Sequence, residues 1–376
     1  MNSKLPHLGT TIFTTMSQMA AKYQAINLSQ GFPNFPVDEK LVEILKQTVT
    51  ENVHQYAPMA GNNELLEELA ILTMKSYQRK VEPSKEILVT AGATQGIFTT
   101  IQALIFSGEE VIILDPAYDC YAPAVLLAGG KPIHINLKPD YTPDWDKIES
   151  AFNSKTKMII VNNPHNPTGK TLLMSDIKAL ETILDKFPNV ILFSDEVYEY
   201  ITFENQHISA NTREKLKEKS VVVSSFGKTF HITGWKTGYL IAPEKWMTEI
   251  KKVHQFLVFS VNSIAQATLK KYLRQTDVSA LGQFYQEKRN YFRSLIDKSK
   301  FELLPSEGTY FQVLRYSEIS QEPDTLFAER LIKEHGVATI PLSAFYHNKF
   351  DNQSIRLCFA KDNETLEKAA EKLCQI

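Results

Sequence analysis

The stretch Ser224-Ser225-Phe226-Gly227-Lys228-Thr229-Phe230-His231-Ile232-Thr233-Gly234-Trp235-Lys236 closes a short apolar run and opens directly into a polar loop. Lys228 stands between glycine and threonine, Ser225 precedes it by three residues, and a second cation, Lys236, follows by eight. A lysine so placed suits the capture of a phosphorylated aldehyde as an imine. Ser225 and Lys236 are then positioned for the phosphate while the Lys228 amine reaches the carbonyl carbon. An apolar strand followed at once by such a loop is also what an open, mostly parallel α/β sheet produces, because its chemistry gathers at the carboxyl ends of the strands.

The same pattern repeats outward along the chain. Ile87–Thr90, Glu110–Leu114, Met158–Asn162, Val190–Ser194 and Val221–Ser224 read as buried strands, each followed by a polar or glycine-containing loop. Residues 11–25 carry Ile12, Phe13, Met16, Met19, Ala20 and Tyr23 at helical spacing and predict an amphipathic first helix. Ser29 to Pro36 is too rich in Gly and Pro for regular structure. The segment Trp246–Arg274 reads as one long helix. Residues 285–376 read as strand–strand–helix–strand–helix, including Tyr310–Leu314 and Ser354–Phe359, and predict a separate α+β lobe.

Composition sets limits without naming a function. The chain has 376 residues, which suits two domains or one large domain with an appended lobe. A formal charge of −2 gives no basic face for nucleic acid. No apolar run reaches the length of a membrane span, and Met1 to Pro6 lacks the apolar core of a secretory signal. Three widely spaced cysteines, Cys120, Cys358 and Cys374, argue against a disulfide framework or a metal site, and a reducing cytoplasm is the expected location.

Four further motifs bear on the chemistry, and each has a plainer alternative. Val89-Thr90-Ala91-Gly92-Ala93-Thr94-Gln95-Gly96 follows a strand and opens a helix. Its small residues let backbone N–H groups approach a dianion at the helix N-terminus, although such turns also occur as pure structure. Asp195 in Ser194-Asp195-Glu196-Val197-Tyr198 ends a strand and could pair with a protonated pyridine nitrogen, or simply cap the next helix. Tyr198 could donate to the ring oxygen of such a cofactor. Asn166 is held by prolines in Asn162-Asn163-Pro164-His165-Asn166-Pro167-Thr168-Gly169 and could bond the same oxygen, or form an unliganded turn. Tyr118 in Asp115-Pro116-Ala117-Tyr118-Asp119 could stack on a planar ring, or only pack. In addition, Arg356 in Ile355-Arg356-Leu357 could grip a substrate carboxylate with its fork, or neutralise a structural acid.

Taken in order, these motifs resemble the class I aminotransferases of the pyridoxal 5′-phosphate (PLP) fold-type I superfamily over essentially the whole chain. The nearest branch is the one that joins kynurenine and glutamine transaminases with bacterial methionine aminotransferases. Gln30-Gly31-Phe32-Pro33, Gln55-Tyr56-Ala57-Pro58, Phe259-Ser260-Val261-Asn262 and Ile355-Arg356-Leu357-Cys358-Phe359 match it, alongside the motifs above. The resemblance implies PLP as cofactor and an α/β fold: a large domain with a mostly parallel seven-stranded sheet flanked by helices, plus a small α+β domain. The implied division is an arm and part of the small domain over 1–39, the PLP domain over 40–275 and the small domain over 276–376.

The resemblance also implies residue roles. Lys228 is the imine-forming lysine and base, Asp195 the pyridinium partner, and Asn166 with Tyr198 the donors to the ring oxygen. Ala93, Thr94, Ser225 and Lys236 form the phosphate cup, with Tyr118 on the ring. Tyr56 crosses to the phosphate of a partner subunit, which implies a homodimer. Arg356, Gly31 and Asn166 hold the substrate carboxylate, and Phe13, Phe259 and Tyr310 wall the side-chain pocket. Lys236 stands where many members have arginine, and phosphate tolerates either.

The aromatic pocket and the lack of a second arginine matched to a side-chain carboxylate disfavour acidic donors. They favour an apolar or sulfur-bearing L-amino acid, methionine first and aromatic amino acids next. The stretch Phe259-Ser260-Val261-Asn262, where kynurenine enzymes usually carry a histidine after the phenylalanine, tilts the same way. The alternative within the branch is a kynurenine or glutamine transaminase with cysteine-conjugate β-lyase activity. A dehydrogenase lacks its G-x-G-x-x-G motif here, and a regulator built on this body would need an added DNA-binding domain. Arg213 to Lys219 reads as a solvated helix face, His254 as a satisfied surface or interface histidine, and Cys120 and Cys358 as small buried hydrophobes.

Overall fold

Alternation at period two builds the main sheet. In Glu110–Asp115, Val111 and Ile113 enter one core cluster while Ile112 and Leu114 enter another on the opposite face. The same split recurs at Met158 and Ile160 against Ile159 and Val161. Both faces are therefore covered, which is why these strands read as continuous apolar runs. The computed structural model describes residues 3–6 and 9–376, so residues 1, 2, 7 and 8 of the expected N-terminal arm lie outside the described residues.

The sheet has seven strands: β1 (Ile87–Thr90), β2 (Glu110–Asp115), β3 (Lys131–Asn136), β4 (Thr156–Asn162), β5 (Ile191–Asp195), β6 (Ser220–Ser225) and β7 (Gly238–Ile241). Their spatial order is β1-β7-β6-β5-β4-β2-β3. Neighbours run parallel from β3 to β6, and β7 is antiparallel to both β6 and β1. The mostly parallel seven-stranded sheet is thus present. Strands β3 and β7 extend the five read from the sequence. Strand β3 is half-exposed along most of its length and mixes Lys, Pro, His and Asn with two isoleucines, and β7 opens on glycine, so the apolar signal of each is weak.

Two helices lie where one was expected. Glu244–Leu257 ends at Val258, Phe259 takes the left-handed conformation (φ +68°), and Ser263–Leu273 begins again under an Asn262 cap that accepts from Ala265 N. The C-terminal region holds a four-stranded antiparallel sheet of β8 (Glu302–Leu303), β9 (Phe311–Arg315), β10 (Ile340–Pro341) and β11 (Ser354–Cys358), in the order β10-β11-β9-β8. It packs with helices Leu281–Ile296, Asp324–His335 and Asn363–Leu373 around its own apolar cluster, which also takes in Met16 and Ala20 of α1 (Ile12–Lys22). Leu281–Ile296 precedes the strands, so the C-terminal pattern opens on a helix rather than on a strand. No helix among the described residues is long and apolar enough to cross a membrane.

Candidate active site

The loops after β1, β2, β4, β5 and β6 converge on one cleft at the carboxyl ends of the strands. It encloses about 730 Å³ of empty space, partly open to solvent. Ala93, Thr94, Tyr118, Asn166, Asp195, Tyr198, Ser225, Lys228 and Lys236 all line it.

At one end, Gly92 (φ +78°) turns the chain from β1 into α2 (Ala93–Leu104). A Cβ at Gly92 would meet the Lys236 ammonium at 3.3 Å, so glycine is needed both for the backbone and for the cation's approach. Lys236, itself left-handed at φ +51°, thereby sits against the N-terminus of α2. That helix end is positive, and a cation placed there is repelled unless an anion lies between them. Ser225 and Thr94 bring hydroxyls to the same end, with Thr94 Oγ1 3.3 Å from the Tyr118 phenol oxygen. The donor set fits a phosphate.

Asp195 is buried as the last residue of β5, and a turn rather than a helix follows, so it is not a helix cap. Its Oδ2 accepts from the Tyr121 phenol, and Oδ1 accepts a long bond from Val197 N at 3.3 Å. Its carbonyl accepts from Asn162 Nδ2 at 2.9 Å and Asn163 N at 3.0 Å. Burial pushes the carboxyl up to about 6, the mark of an acid waiting for a cation. A protonated pyridine nitrogen is such a cation.

Lys228 leaves β6 on the single helical turn Phe226–Thr229. Its ammonium donates to Gly31 O at 3.1 Å and lies 5.6 and 5.7 Å from the rings of Tyr198 and Tyr310. Removal from water brings it down to about 8, so a useful fraction is free amine near neutrality.

Arg356, on β11, is almost wholly buried. It lies under Phe311 at 4.0 Å, Phe345 at 5.1 Å and Phe13 at 5.3 Å. It donates to Asn166 Oδ1 at 2.9 Å and Ser29 O at 2.8 Å, and its Nε has no partner among the described residues. Both acceptors are neutral, so Arg356 does not neutralise a structural acid. Burial lowers it to about 10, and a carboxylate entering the cleft would restore its preference for charge. Asn166 is held by its own N–H, which donates to Asn162 Oδ1 at 2.7 Å. The Gly31 carbonyl that accepts from Lys228 also accepts from the Tyr310 phenol at 2.7 Å, and a Cβ at Gly31 would lie 2.8 Å from the Phe311 ring.

Tyr56 and Phe259 stand apart from this cleft. Their rings pack edge to face at 5.2 Å on the surface, with Tyr56 81% and Phe259 46% exposed. Ser260 Oγ clips that loop to Ala57 O at 2.9 Å.

A family model, "Aminotransferase class I and II", matches residues 23–373. The chain belongs to the class I and II aminotransferases. A methionine aminotransferase from Escherichia coli is 45% identical over 378 residues, covering 100% of this chain and 98% of that protein. A kynurenine–oxoglutarate transaminase from Dictyostelium discoideum is 32% identical, over 98% of this chain and 94% of its own length. A crystal structure from Escherichia coli, whose reactivity identifies a methionine aminotransferase function, superposes with a TM-score of 0.97. It is 45% identical over 100% of this chain and 99% of that one. Aminotransferases of this class depend on PLP.

Sequence reasoning left out several residues that line or support this aminotransferase's cleft. Tyr121 holds Asp195, and its position three residues after Tyr118 was the available signal. Asn162 lay inside a motif already singled out, and it ties the Asp195 carbonyl to the Asn166 turn. Phe311 and Phe345 cover Arg356 through contacts distant in sequence, which no local pattern announces. His254 proves fully buried rather than at the surface: its Nδ1 lies 3.3 Å from Gln95 Nε2, and Gln95 Oε1 accepts from Ala91 N at the glycine-rich turn.

Proposed function

We propose that this aminotransferase moves the amino group of an apolar L-amino acid, methionine foremost and aromatic amino acids next, to a 2-oxo acid, with PLP as cofactor. The observation that carries the reading is Arg356: a buried guanidinium with no acidic partner among the described residues, aimed among aromatic rings beside Lys228 and Asn166. An α-carboxylate completes it, and the surrounding rings then receive an apolar side chain, whose sulfur is attracted to aromatic edges. The methionine aminotransferase relatives support the choice of donor.

Bound PLP supplies an electrophilic aldehyde and a ring that withdraws electrons from the substrate. Asp195 keeps the ring nitrogen protonated, and Asn166 and Tyr198 donate to the ring oxygen. Tyr118 covers the ring face. Ala93, Thr94, Ser225 and Lys236 hold the phosphate at the α2 terminus. Arg356, Gly31 and Asn166 orient the amino acid so that its Cα proton faces the Lys228 amine. Lys228, held between Tyr198 and Tyr310, takes that proton as general base. Phe13 and Tyr310 wall the side chain.

Tyr56 and Phe259 serve the site of a second copy in a homodimer. Their exposure supports this, as does the bare apolar surface of Phe256 and Leu257 beside them. The same reading assigns 40–275 to a PLP domain and 276–376 with part of 1–39 to a small domain. It places the enzyme in the cytoplasm, in keeping with three free cysteines. A second reading, a kynurenine or glutamine transaminase with β-lyase activity, is supported by the kynurenine relatives. Pyruvate release from a cysteine conjugate would identify it.

The test is the absorbance of the purified protein with PLP, before and after methionine without an acceptor. A visible band that shifts to the pyridoxamine phosphate spectrum upholds cofactor, half-reaction and donor together. A band indifferent to methionine but responsive to another amino acid discards the donor. No band in wild type, or an unchanged one in Lys228→Ala, overturns the lysine assignment.

A further inference from the structure

Tyr121 is the first residue of α3 (Tyr121–Leu127) and is buried. It is not among the residues that line the cleft. It reaches across to β5 and donates to Asp195 Oδ2, while its ring meets Tyr118 edge on at 5.7 Å. A buried phenol needs a partner, and a neutral carbonyl would satisfy it equally well. Here the partner is the carboxylate that lines the cleft.

Packing alone does not dictate that choice. Tyr121 also lines a largely apolar cavity behind the cleft, together with Leu114, Ala117, Ile160 and Leu172, so its ring is not tightly enclosed on that side. Asn162 lines both this cavity and the cleft, and its amide holds the Asp195 carbonyl at 2.9 Å. Asp195 is thus tied at its carbonyl by Asn162 and at Oδ2 by Tyr121. Oδ1 carries only the 3.3 Å bond from Val197 N among the described residues.

We propose that Tyr121 is a positioning residue: its phenol fixes the Asp195 carboxylate as an anion and leaves Oδ1 to receive the cofactor's ring nitrogen. The proposal rests on the PLP reading above. The phenol is a steady donor, because burial and the adjacent carboxylate hold its proton well above the ordinary range for tyrosine. A hydrogen bond to a charged group is among the stronger ones in proteins, so losing it weakens Asp195's grip on a cationic ring.

The test is Tyr121→Phe, which keeps the ring and its packing, read in the full-length protein with PLP. The dissociation constant for PLP, measured by equilibrium dialysis, should rise roughly 10- to 100-fold. In the methionine half-reaction the maximal rate should fall while the methionine concentration at half-maximal rate stays within about twofold, since Tyr121 does not line the cleft. The decisive readout is a double-mutant cycle on PLP affinity with Asp195→Asn. Tyr121→Phe should cost little more once the carboxylate is gone. Equal losses with the carboxylate present and with it replaced by the amide would show that the phenol acts through packing and overturn the proposal. So would unchanged PLP affinity in Tyr121→Phe. Wild-type protein that binds no PLP would instead sink the parent reading and this inference with it. PLP binding without methionine turnover would leave the affinity cycle to decide the role of Tyr121.

Discussion

Replacing Arg356 with glutamine isolates the interaction on which the substrate reading rests. Glutamine retains a polar head near Asn166 Oδ1 and Ser29 O, the two neutral acceptors that Arg356 now serves, so the variant should fold. What it removes is the buried positive fork. Truncating one partner of a buried, hydrogen-bonded charge pair costs about 2–5 kcal/mol. At about 1.4 kcal/mol per decade, kcat/KM for methionine should fall by a factor of about 30 to about 5,000. Most of the loss should appear in KM, because the carboxylate is held equally before and during proton transfer. The control is 3-(methylthio)propylamine, which is methionine without its carboxylate. It gains nothing from the guanidinium, so its slow half-reaction with PLP should be nearly the same in wild type and variant. The assay is stopped-flow absorbance of the PLP-loaded protein with each amine. An equal fall for both compounds would refute the reasoning, since Arg356 would then be supporting the site rather than reading the carboxylate.

Two further outcomes follow from the geometry. If Tyr56 completes the site of a second copy, Tyr56→Ala and Lys228→Ala chains mixed under exchanging conditions should regain activity that neither has alone; no recovery in verified heterodimers would place Tyr56 outside the chemistry. Without cofactor, buried Asp195 (about 6, ordinarily 3.8) and Glu199 (about 7, ordinarily 4.5), which lies between the phenols of Tyr77 and Tyr239, hold their protons more tightly folded than unfolded. Their contribution is full below about pH 4 and lost as pH rises through 6 and 7, so the cofactor-free protein should melt lower at pH 8 than at pH 5.5, and saturating PLP should remove the Asp195 part of that slope; equal melting points at the two pH values would refute it.

How much of this was legible depended on whether the signal was local. The strand-then-loop rhythm placed Asp195, Asn166 and Lys228 at strand ends because parallel strands buried on both faces are apolar throughout and stop abruptly. Strand β7 (Gly238–Ile241) escaped notice because it opens on glycine, a residue depleted in strands, and leaves only three apolar positions. The break at Phe259 escaped because a left-handed phenylalanine carries no glycine to announce it. Part of the shell around Arg356 was illegible for a different reason. Asn166 and Phe13 were assigned to its site through the family resemblance, but Phe311, Phe345 and Ser29 lie far apart in sequence, and only the assembled fold brings them onto the guanidinium. Tyr121 lies between these cases: its spacing from Tyr118 was visible, but its partner on β5 was not.

The charges themselves connect the fold to the chemistry. A protein that only needed to fold would give its buried charges partners of opposite charge, as Glu181 has in Arg213. Around the cleft two buried ions, Asp195 and Arg356, lack that pairing, and an exposed cation, Lys236, is held against a helix end of like sign. Among the described residues Asp195 is bonded only to neutral donors and Arg356 only to neutral acceptors. Each gap has a distinct complement: a cationic ring nitrogen, a carboxylate and a dianion. A phosphorylated pyridine and an amino acid supply all three at once, and neither alone does. The strain of unpaired burial is therefore distributed so that cofactor and substrate relieve different parts of it. This is what an enzyme that must retain the first and release the second requires.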